Sequence, residues 1–164
     1  MEKSILKIFC LLTFIFISQF SFANNNLKNK KGDVKAMKKL FLCSYFTGVK
    51  NTFKDFMNND TKGKKVLFIP TANIDEETKF LVNEAKEVFK NLGMEVEDLE
   101  ISKLDEKSIK NKIEKTNYLY IGGGNTFYLL QELKRKNLID FIKNRVNSGM
   151  VYIGESAGAI ITSK

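Results

Sequence analysis

Short apolar segments alternate with helical segments along most of this chain, and this alternation restricts the possible fold more than any other feature. The apolar runs lie at residues 39–44, 65–69, 94–101, 118–121 and 150–153. Helical periodicity falls between them, at residues 49–57, 75–92, 106–115, from 125 onward and at 138–146. Near-continuous apolar strands are typical of parallel sheets buried on both faces, joined by right-handed crossovers. The sequence therefore predicts an α/β fold with a mainly parallel sheet between two helical layers, a three-layer sandwich.

The clearest helical segment spans residues 75–92. Asp75, Glu76 and Glu77 fall in its first turn, where negative charge is favourable, and Gly93 follows as a stop signal. The residues predicted to share its buried face are Leu81, Ala85, Val88, Phe89 and Leu92. For the helix that begins near residue 125, the predicted buried face consists of Phe127, Leu130 and Leu133.

The amino-terminal residues have the pattern of a secretory signal peptide. Lys3 and Lys7 precede an apolar run over residues 8–20, and small residues precede a predicted cleavage after Ala23. We therefore expect residues 1–23 to direct export, to the periplasm or the exterior, and to leave no stable membrane span after cleavage. Residues 24–37 form a Lys/Asn-rich linker, solvated or in contact with an anionic surface, and residues 38–164 form a single domain.

Composition excludes several classes of protein. The 164 residues contain no histidine, which excludes the usual zinc sites and any Ser-His or Cys-His relay made from this chain alone. We expect no metal and no organic cofactor. Outside the predicted signal peptide the one cysteine is Cys43, expected to be a small buried hydrophobic residue. The net charge of +8 comes almost wholly from lysine, whereas nucleic-acid surfaces favour arginine, so no nucleic-acid partner is expected.

The first motif with chemical content is Gly154-Glu155-Ser156-Ala157-Gly158, which follows an apolar strand and precedes an apolar helical run. This is the strand–turn–helix context of a G-x-S-x-G nucleophile elbow. In such a turn the serine hydroxyl projects from the carboxyl edge of the sheet, and the next residue's N–H can face an oxyanion. The alternative is an ordinary tight turn in which Ser156 caps the following helix.

The second motif is Gly122-Gly123-Gly124-Asn125-Thr126, at the end of the preceding strand. Consecutive glycines allow close backbone approach and expose N–H groups, so we expect an anion-binding loop that faces Ser156. A plain turn with Asn125 as the helix N-cap is the alternative. The pattern matches neither G-x-G-x-x-G nor a P-loop, which disfavours a dinucleotide site.

Together, the segments GGGNTF (122–127) and YIGESAGA (152–159) resemble the dipeptidase E / cyanophycinase family of serine peptidases, peptidase family S51. The segment Ile69-Pro70-Thr71-Ala72 is also similar to that family. The resemblance covers residues 38–164 and implies a fold like that of class I glutamine amidotransferases, of the flavodoxin-like type. It also implies hydrolysis of short peptides, several family members preferring an amino-terminal aspartate, with no cofactor.

The resemblance assigns roles to individual residues. Ser156 matches the nucleophile, and Ala157 the residue whose N–H contributes to the oxyanion hole. Gly123 or Gly124 would supply the second N–H. Gly122 and Asn125 would lie on the substrate side of the pocket.

The sequence departs from the family pattern after the elbow. In the family a histidine and an acidic residue follow the serine, whereas this chain ends eight residues after Ser156. We therefore expect the 164-residue chain to be a truncated amino-terminal portion, poorly stable, with negligible peptidase activity and with apolar surface exposed on its last strand and final helix. Glu155 cannot replace the base, because its side chain is expected to point away from the serine hydroxyl.

Other functions remain open to different degrees. The main alternative is a catalytically dead, exported peptide-binding protein that keeps the pocket without the relay. An α/β-hydrolase esterase would need an upstream H-G-G-type loop, which this sequence does not contain. A glutamine amidotransferase is disfavoured because the nucleophile position holds Ser156 and not cysteine.

Overall fold

Five parallel strands form one sheet in the computed structural model, which describes residues 37–163. Their spatial order is β1-β5-β4-β2-β3. The described residues belong to one unit of the chain, Lys35–Lys164, whereas the predicted signal peptide and all of the predicted linker except Met37 lie outside them. The strands are β1 Lys39–Cys43, β2 Lys65–Ile69, β3 Glu95–Asp98, β4 Tyr118–Ile121 and β5 Val151–Glu155.

Helices connect the strands, as the periodicity predicted. They are α1 Lys50–Phe56, α2 Lys79–Asn91, α3 Glu106–Glu114, α4 Thr126–Arg135, α5 Ile139–Asn147 and α6 Ala157–Ile160. Side-chain caps fix where two helical segments begin: the Asp75 carboxylate accepts from the Glu77 N–H, and the Asp105 carboxylate accepts from the Ser108 N–H. No helix within residues 37–163 is both long enough and apolar enough to cross a bilayer.

The two faces of the sheet carry different cores, because alternate residues of each strand point to opposite sides. We call the first the aromatic layer: α1 and α2 cover it, and its large buried side chains are Phe46, Phe53, Phe68, Phe89 and Tyr120. The second is the aliphatic layer, covered by α3, α4 and α5. Its buried side chains include Leu67, Ile69, Ile109, Ile113, Leu119, Ile121, Leu129, Leu133 and Tyr152. The three-layer α/β fold is confirmed.

The third strand is shorter than predicted. Its ladder with β2 ends at Asp98, although Leu99 and Ile101 remain fully buried. Leu99 still donates its N–H to the Phe68 carbonyl, but the Ile101 N–H donates to the side-chain hydroxyl of Thr71, just after Pro70, and not to a strand carbonyl. The apolar pattern over residues 94–101 therefore indicated which side chains are buried, and the hydrogen-bonded strand ends before them.

The prediction that Phe127 is buried and the prediction that the last strand exposes apolar surface were both wrong. Phe127 is 86% exposed, and the buried face of α4 is formed instead by Leu129 and Leu133. The last strand, β5, is buried at every position because β1 and β4 flank it. The exposed apolar side chains include Leu40 and Leu42 on the edge strand β1 and Ile160 on α6.

The strand register brings the two sequence motifs together. Ile121, the last residue of β4, pairs with Gly154 in β5, and Cys43 at the end of β1 pairs with Glu155. The glycine loop, the elbow and the loop after β1 therefore emerge side by side at the carboxyl edge of the sheet, where open α/β sheets bind ligands.

Candidate active site

Ser156 occupies a strained backbone conformation between β5 and α6. Its φ is 46° and its ψ is −105°, although it is not a glycine. Such a conformation costs of order 1–3 kcal/mol and persists only where the surrounding structure enforces it. The Ser156 N–H donates to the Cys43 carbonyl at 2.9 Å, which fastens the turn to β1, and the side chain remains exposed. This is the geometry of a nucleophile elbow.

The glycines on either side of Ser156 are required by close backbone contacts. A Cβ on Gly158 would lie 2.1 Å from the Ile121 carbonyl oxygen, and one on Gly154 would lie 2.6 Å from the Gly158 carbonyl oxygen. Real Cβ atoms do not approach so closely. The elbow is thus pressed against the end of β4, and neither glycine position has room for a side chain.

The glycine loop faces the serine. A Cβ on Gly123 would lie 3.2 Å from the Ser156 Cβ and 3.7 Å from its Oγ. Gly124 has a φ of 132°, and a Cβ there would lie 2.1 Å from the Ala72 carbonyl oxygen. The expected proximity of the glycine loop to Ser156 is confirmed. On its other side, the glycine loop packs against the loop after β2 at Ala72.

The backbone donors of this loop divide into two groups. The Gly122 N–H donates to the Ile69 carbonyl at 3.0 Å, and the Asn125 N–H donates to the Ala72 carbonyl at 2.7 Å. Within residues 37–163, the N–H groups of Gly123 and Gly124 have no hydrogen-bond acceptor. These are the two donors predicted for an oxyanion hole together with Ala157, and that role stays a prediction.

Asn125 is the N-cap of α4. Its side-chain oxygen accepts from the Tyr128 N–H at 2.9 Å, so this oxygen has a structural use. The cap that the sequence left open as an alternative is therefore present. The substrate-side roles predicted for Asn125 and Gly122 stay predictions.

Glu155 directs its carboxylate into the aromatic layer, away from the solvent that Ser156 faces. One oxygen accepts from the Phe46 N–H at 2.8 Å, and the other accepts from the Tyr120 hydroxyl. Glu155 is 8% exposed and Tyr120 is 1% exposed. Burial, and then the negative charge of Glu155, raise the pKa of Tyr120 well above its ordinary value, so this phenol remains a hydrogen-bond donor.

A second buried tyrosine contacts the elbow from the opposite face. The Tyr152 hydroxyl, in the aliphatic layer, donates to the Gly158 carbonyl at 2.7 Å. Burial raises the pKa of Tyr152, which keeps the hydroxyl protonated. The residues before and after Ser156 are therefore each tied to a different core.

Cys43 lies beside the site but is not suited to nucleophilic chemistry. Its Sγ is half-buried, 3.7 Å from the Gly154 carbonyl oxygen. Burial and the nearby Glu155 charge raise the pKa of the thiol to about 12. The described residues 37–163 contain no cluster of three or more His, Cys, Asp or Glu side chains that could hold a metal ion.

Reasoning from sequence missed the contacts that Glu155, Tyr120 and Tyr152 make with the elbow. A partial signal was present: Glu155 continues an apolar strand, so its carboxylate had to be buried and satisfied. Its partners could not be read from the pattern, because Phe46 and Tyr120 lie 109 and 35 positions away.

Comparison with known proteins gives consistent matches. The sequence model of Peptidase family S51 matches residues 40–164. An uncharacterized peptidase of Listeria monocytogenes is 46% identical over 127 residues, which cover 77% of this chain and 62% of that protein. Peptidase E of Haemophilus influenzae is 37% identical over 100 residues, 61% of this chain and 44% of that protein.

Solved structures agree with the fold. A crystal structure of a candidate Peptidase E protein from Listeria monocytogenes superposes with a TM-score of 0.74 at 46% identity, covering 77% of this chain and 62% of that one. A peptidase from an acI-B1 Actinobacterium, 23% identical with a TM-score of 0.59, shows the fold alone; the match covers 76% of this chain and 56% of that one. The chain spans less than two thirds of the length of the relatives it matches.

Proposed function

Because the chain belongs to peptidase family S51, we propose that it provides the nucleophile and the oxyanion-binding loop of a serine-type peptidase acting on short peptides. The observation that carries the proposal is the strained Ser156 turn with Gly123 packed against its side chain. An ordinary helix-capping serine needs neither the positive φ nor the glycine contact. Ser156 also makes no side-chain cap hydrogen bond to α6.

The proposed chemistry uses atoms that already lie together. The Ser156 Oγ attacks the carbonyl carbon of the scissile peptide bond and forms a tetrahedral oxyanion. The N–H of Ala157 and that of Gly123 or Gly124 then donate to this oxyanion, and each such donor is worth roughly 3 kcal/mol in known hydrolases. A serine hydroxyl needs a base. The 164 residues contain no histidine, so we assign the base to none of them.

We propose short peptides with an amino-terminal aspartate as the preferred substrates. The support is the resemblance to the family, several of whose members prefer an amino-terminal aspartate, and the match to relatives named Peptidase E. The net charge of +8 would also attract acidic peptides. The charge argument predicts that the rate for such peptides falls as ionic strength rises.

The test is peptide hydrolysis by the full product of the gene, with the reading frame followed as far as it stays open. We expect cleavage of an Asp-X dipeptide faster than of its Asn-X counterpart. Ser156→Ala should lower the rate at least about 1,000-fold, because the covalent step is lost. The matched control is Ser163→Ala, an exposed serine nearby, which should leave the rate unchanged. Cleavage that survives Ser156→Ala would refute the proposal.

The second candidate, an exported peptide-binding protein without turnover, rests on the absence of histidine from the 164 residues. It predicts that calorimetry detects binding of the same dipeptides to the full gene product while hydrolysis stays at the level of Ser156→Ala. Turnover that depends on Ser156 would exclude it.

We also propose that the protein is exported. The support is the apolar run over residues 8–20 with small residues before a cleavage point at Ala23. Amino-terminal sequencing of the protein isolated from its own cells should begin at Asn24. A chain that retains Met1 or Glu2 in the cytoplasm would contradict this proposal.

A further inference from the structure

Glu155 is a buried carboxylate that joins three separate parts of the fold. It lies at the end of β5, accepts from the Phe46 N–H in the loop after β1, and accepts from the Tyr120 hydroxyl in β4. The two donors engage different carboxylate oxygens. The ends of three neighbouring strands therefore meet at one side chain, directly before Ser156.

Burying a carboxylate at this position has an unfavourable desolvation free energy, which simple packing would not require. Moving a carboxylate out of water is unfavourable unless its hydrogen bonds are replaced, and an apolar side chain would fill the same volume without that penalty. Within the part of the chain that the structure describes, Glu155 takes part in no ion pair. The described polar contacts of its carboxylate are these two hydrogen bonds.

The hydrogen bonds act on the segment whose backbone is strained. The Ser156 N–H is bound to the Cys43 carbonyl, and three residues later the Phe46 N–H is bound to Glu155. The end of β1 and the loop after it are thus hydrogen-bonded to two consecutive residues of the elbow, Glu155 and Ser156. On the other side, Tyr120 belongs to β4, the strand that leads into the glycine loop beside Ser156.

We propose that Glu155 is a positioning residue that holds the nucleophile against the glycine loop by joining Phe46 and Tyr120 to the elbow. This role rests on the proposed function of Ser156, and it acts through hydrogen-bond geometry. A glutamine at the same position can keep both contacts, because its carbonyl accepts from the Phe46 N–H and its amide can donate to the Tyr120 oxygen. An alanine can keep neither.

The test replaces the nucleophile with a titratable reporter that needs no catalytic base. In a Cys10→Ser background of the full chain, Ser156→Cys places a thiol in the turn, and its pKa follows from the pH dependence of iodoacetamide alkylation. Peptide mass spectrometry separates this thiol from Cys43, whose raised pKa makes it slow. Backbone N–H groups that face the thiolate lower its pKa. The pKa measured at position 156 therefore depends on how closely the side chain lies to the glycine loop.

We expect Glu155→Gln to leave the reporter pKa unchanged or slightly lower, because a negative charge is removed while the contacts remain. Glu155→Ala should raise it about one unit above that of Glu155→Gln, roughly a tenfold slower alkylation at neutral pH. Tyr120→Phe, which removes one of the two contacts, should shift it in the same direction by less. The matched control is Glu132→Gln, a buried carboxylate on α4 whose hydrogen bonds within residues 37–163 go to Arg135 and not to the elbow.

Equal reporter pKa values in Glu155→Gln and Glu155→Ala would overturn the proposal, and so would an equal shift in Glu132→Gln. If Glu155→Ala fails to fold, the comparison of Tyr120→Phe with the parent decides, and no shift there refutes positioning. These readings do not depend on turnover. If the proposed peptidase function is wrong, the full gene product will not hydrolyse peptides, but the differences in reporter pKa among the variants will still be observed.

Discussion

The aromatic and aliphatic layers hold the same turn by different physical means. In the aromatic layer, Tyr120 donates to the charged carboxylate of Glu155, the residue before Ser156. In the aliphatic layer, Tyr152 donates to the neutral carbonyl of Gly158, two residues after it. Hydrogen bonds to charged acceptors contribute roughly 1.5–3 kcal/mol, against 0.5–1.5 for neutral ones. The charged side of the elbow should therefore be the more sensitive to mutation.

The largest effect should come from forcing the elbow, which both layers hold, away from the end of β4. Gly158→Ala would force a Cβ to 2.1 Å from the Ile121 carbonyl oxygen, so that either the elbow or the end of β4 must move. We expect a loss of at least about 3 kcal/mol in the free energy of unfolding, at the upper end of overpacking effects. Urea denaturation measures it.

The control for that substitution is Gly48→Ala, where the added Cβ meets only the Tyr45 ring, at 3.2 Å. This ring belongs to an exposed side chain that can move aside. We expect a change of less than about 1 kcal/mol there. Equal losses in the two variants would mean that the elbow is not pressed against β4.

The next effect separates the two tyrosines. Tyr120→Phe leaves one Glu155 oxygen without its donor and should cost about 1.5–3 kcal/mol, whereas Tyr152→Phe should cost about 0.5–1.5. Both variants keep the buried ring and remove one hydroxyl, so each is the control for the other. Urea unfolding at pH 7 gives the two values. A larger loss in Tyr152→Phe would reverse the ranking of the two layers.

The smallest effect is the pH dependence of stability that arises from the Cys43 thiol, which lies near the Glu155 carboxylate. The thiol has a pKa of about 12 in the folded protein against an ordinary value of 9.0. Below pH 9 it is protonated in both states. Between pH 9 and 12 it ionises only when unfolded, so this contribution to stability is lost as the pH rises. Wild type should therefore lose about 1 kcal/mol more than Cys43→Ala between pH 7 and pH 10.

Glu155→Gln sharpens that measurement. The charge of Glu155 contributes to the raised thiol pKa, although burial is the larger cause. Removing the charge should lower the folded-state pKa of Cys43 and speed its alkylation at pH 9, while Glu132→Gln should not. An unchanged alkylation rate in Glu155→Gln would mean that burial alone raises the pKa of this thiol.

Most of the fold could be predicted because its signals are local. Strand β2 is an apolar run closed by Pro70. A 3₁₀ turn begins after Asp75 and leads into α2, and Gly93, where φ is 76°, follows the end of that helix. The errors arose where burial and backbone pairing differ, as at Ile101. At Phe127 the helical pattern was right, but the first turn of α4 lies beyond the end of β4, at the rim of the sheet.

The part of the site that could be predicted from the sequence is the part in which the backbone requires glycine. A Cβ on Gly154 would clash within the elbow, whereas a Cβ on Gly158 or Gly124 would clash with backbone distant in sequence. Both kinds of contact require glycine, and the spacing of these glycines is visible in the sequence. The anchors were not predictable. Tyr120 and Tyr152 both look like ordinary strand tyrosines, and only the strand register shows that they reach the elbow from opposite faces.

The most direct measurement of Ser156 as the nucleophile is covalent labelling of the full gene product with a fluorophosphonate, followed by peptide mapping. We expect one adduct per chain, located on Ser156, absent in Ser156→Ala and retained in Ser163→Ala. An adduct on a different residue, or no adduct on Ser156 in a protein that hydrolyses peptides, would contradict the assignment of this turn as the nucleophile elbow.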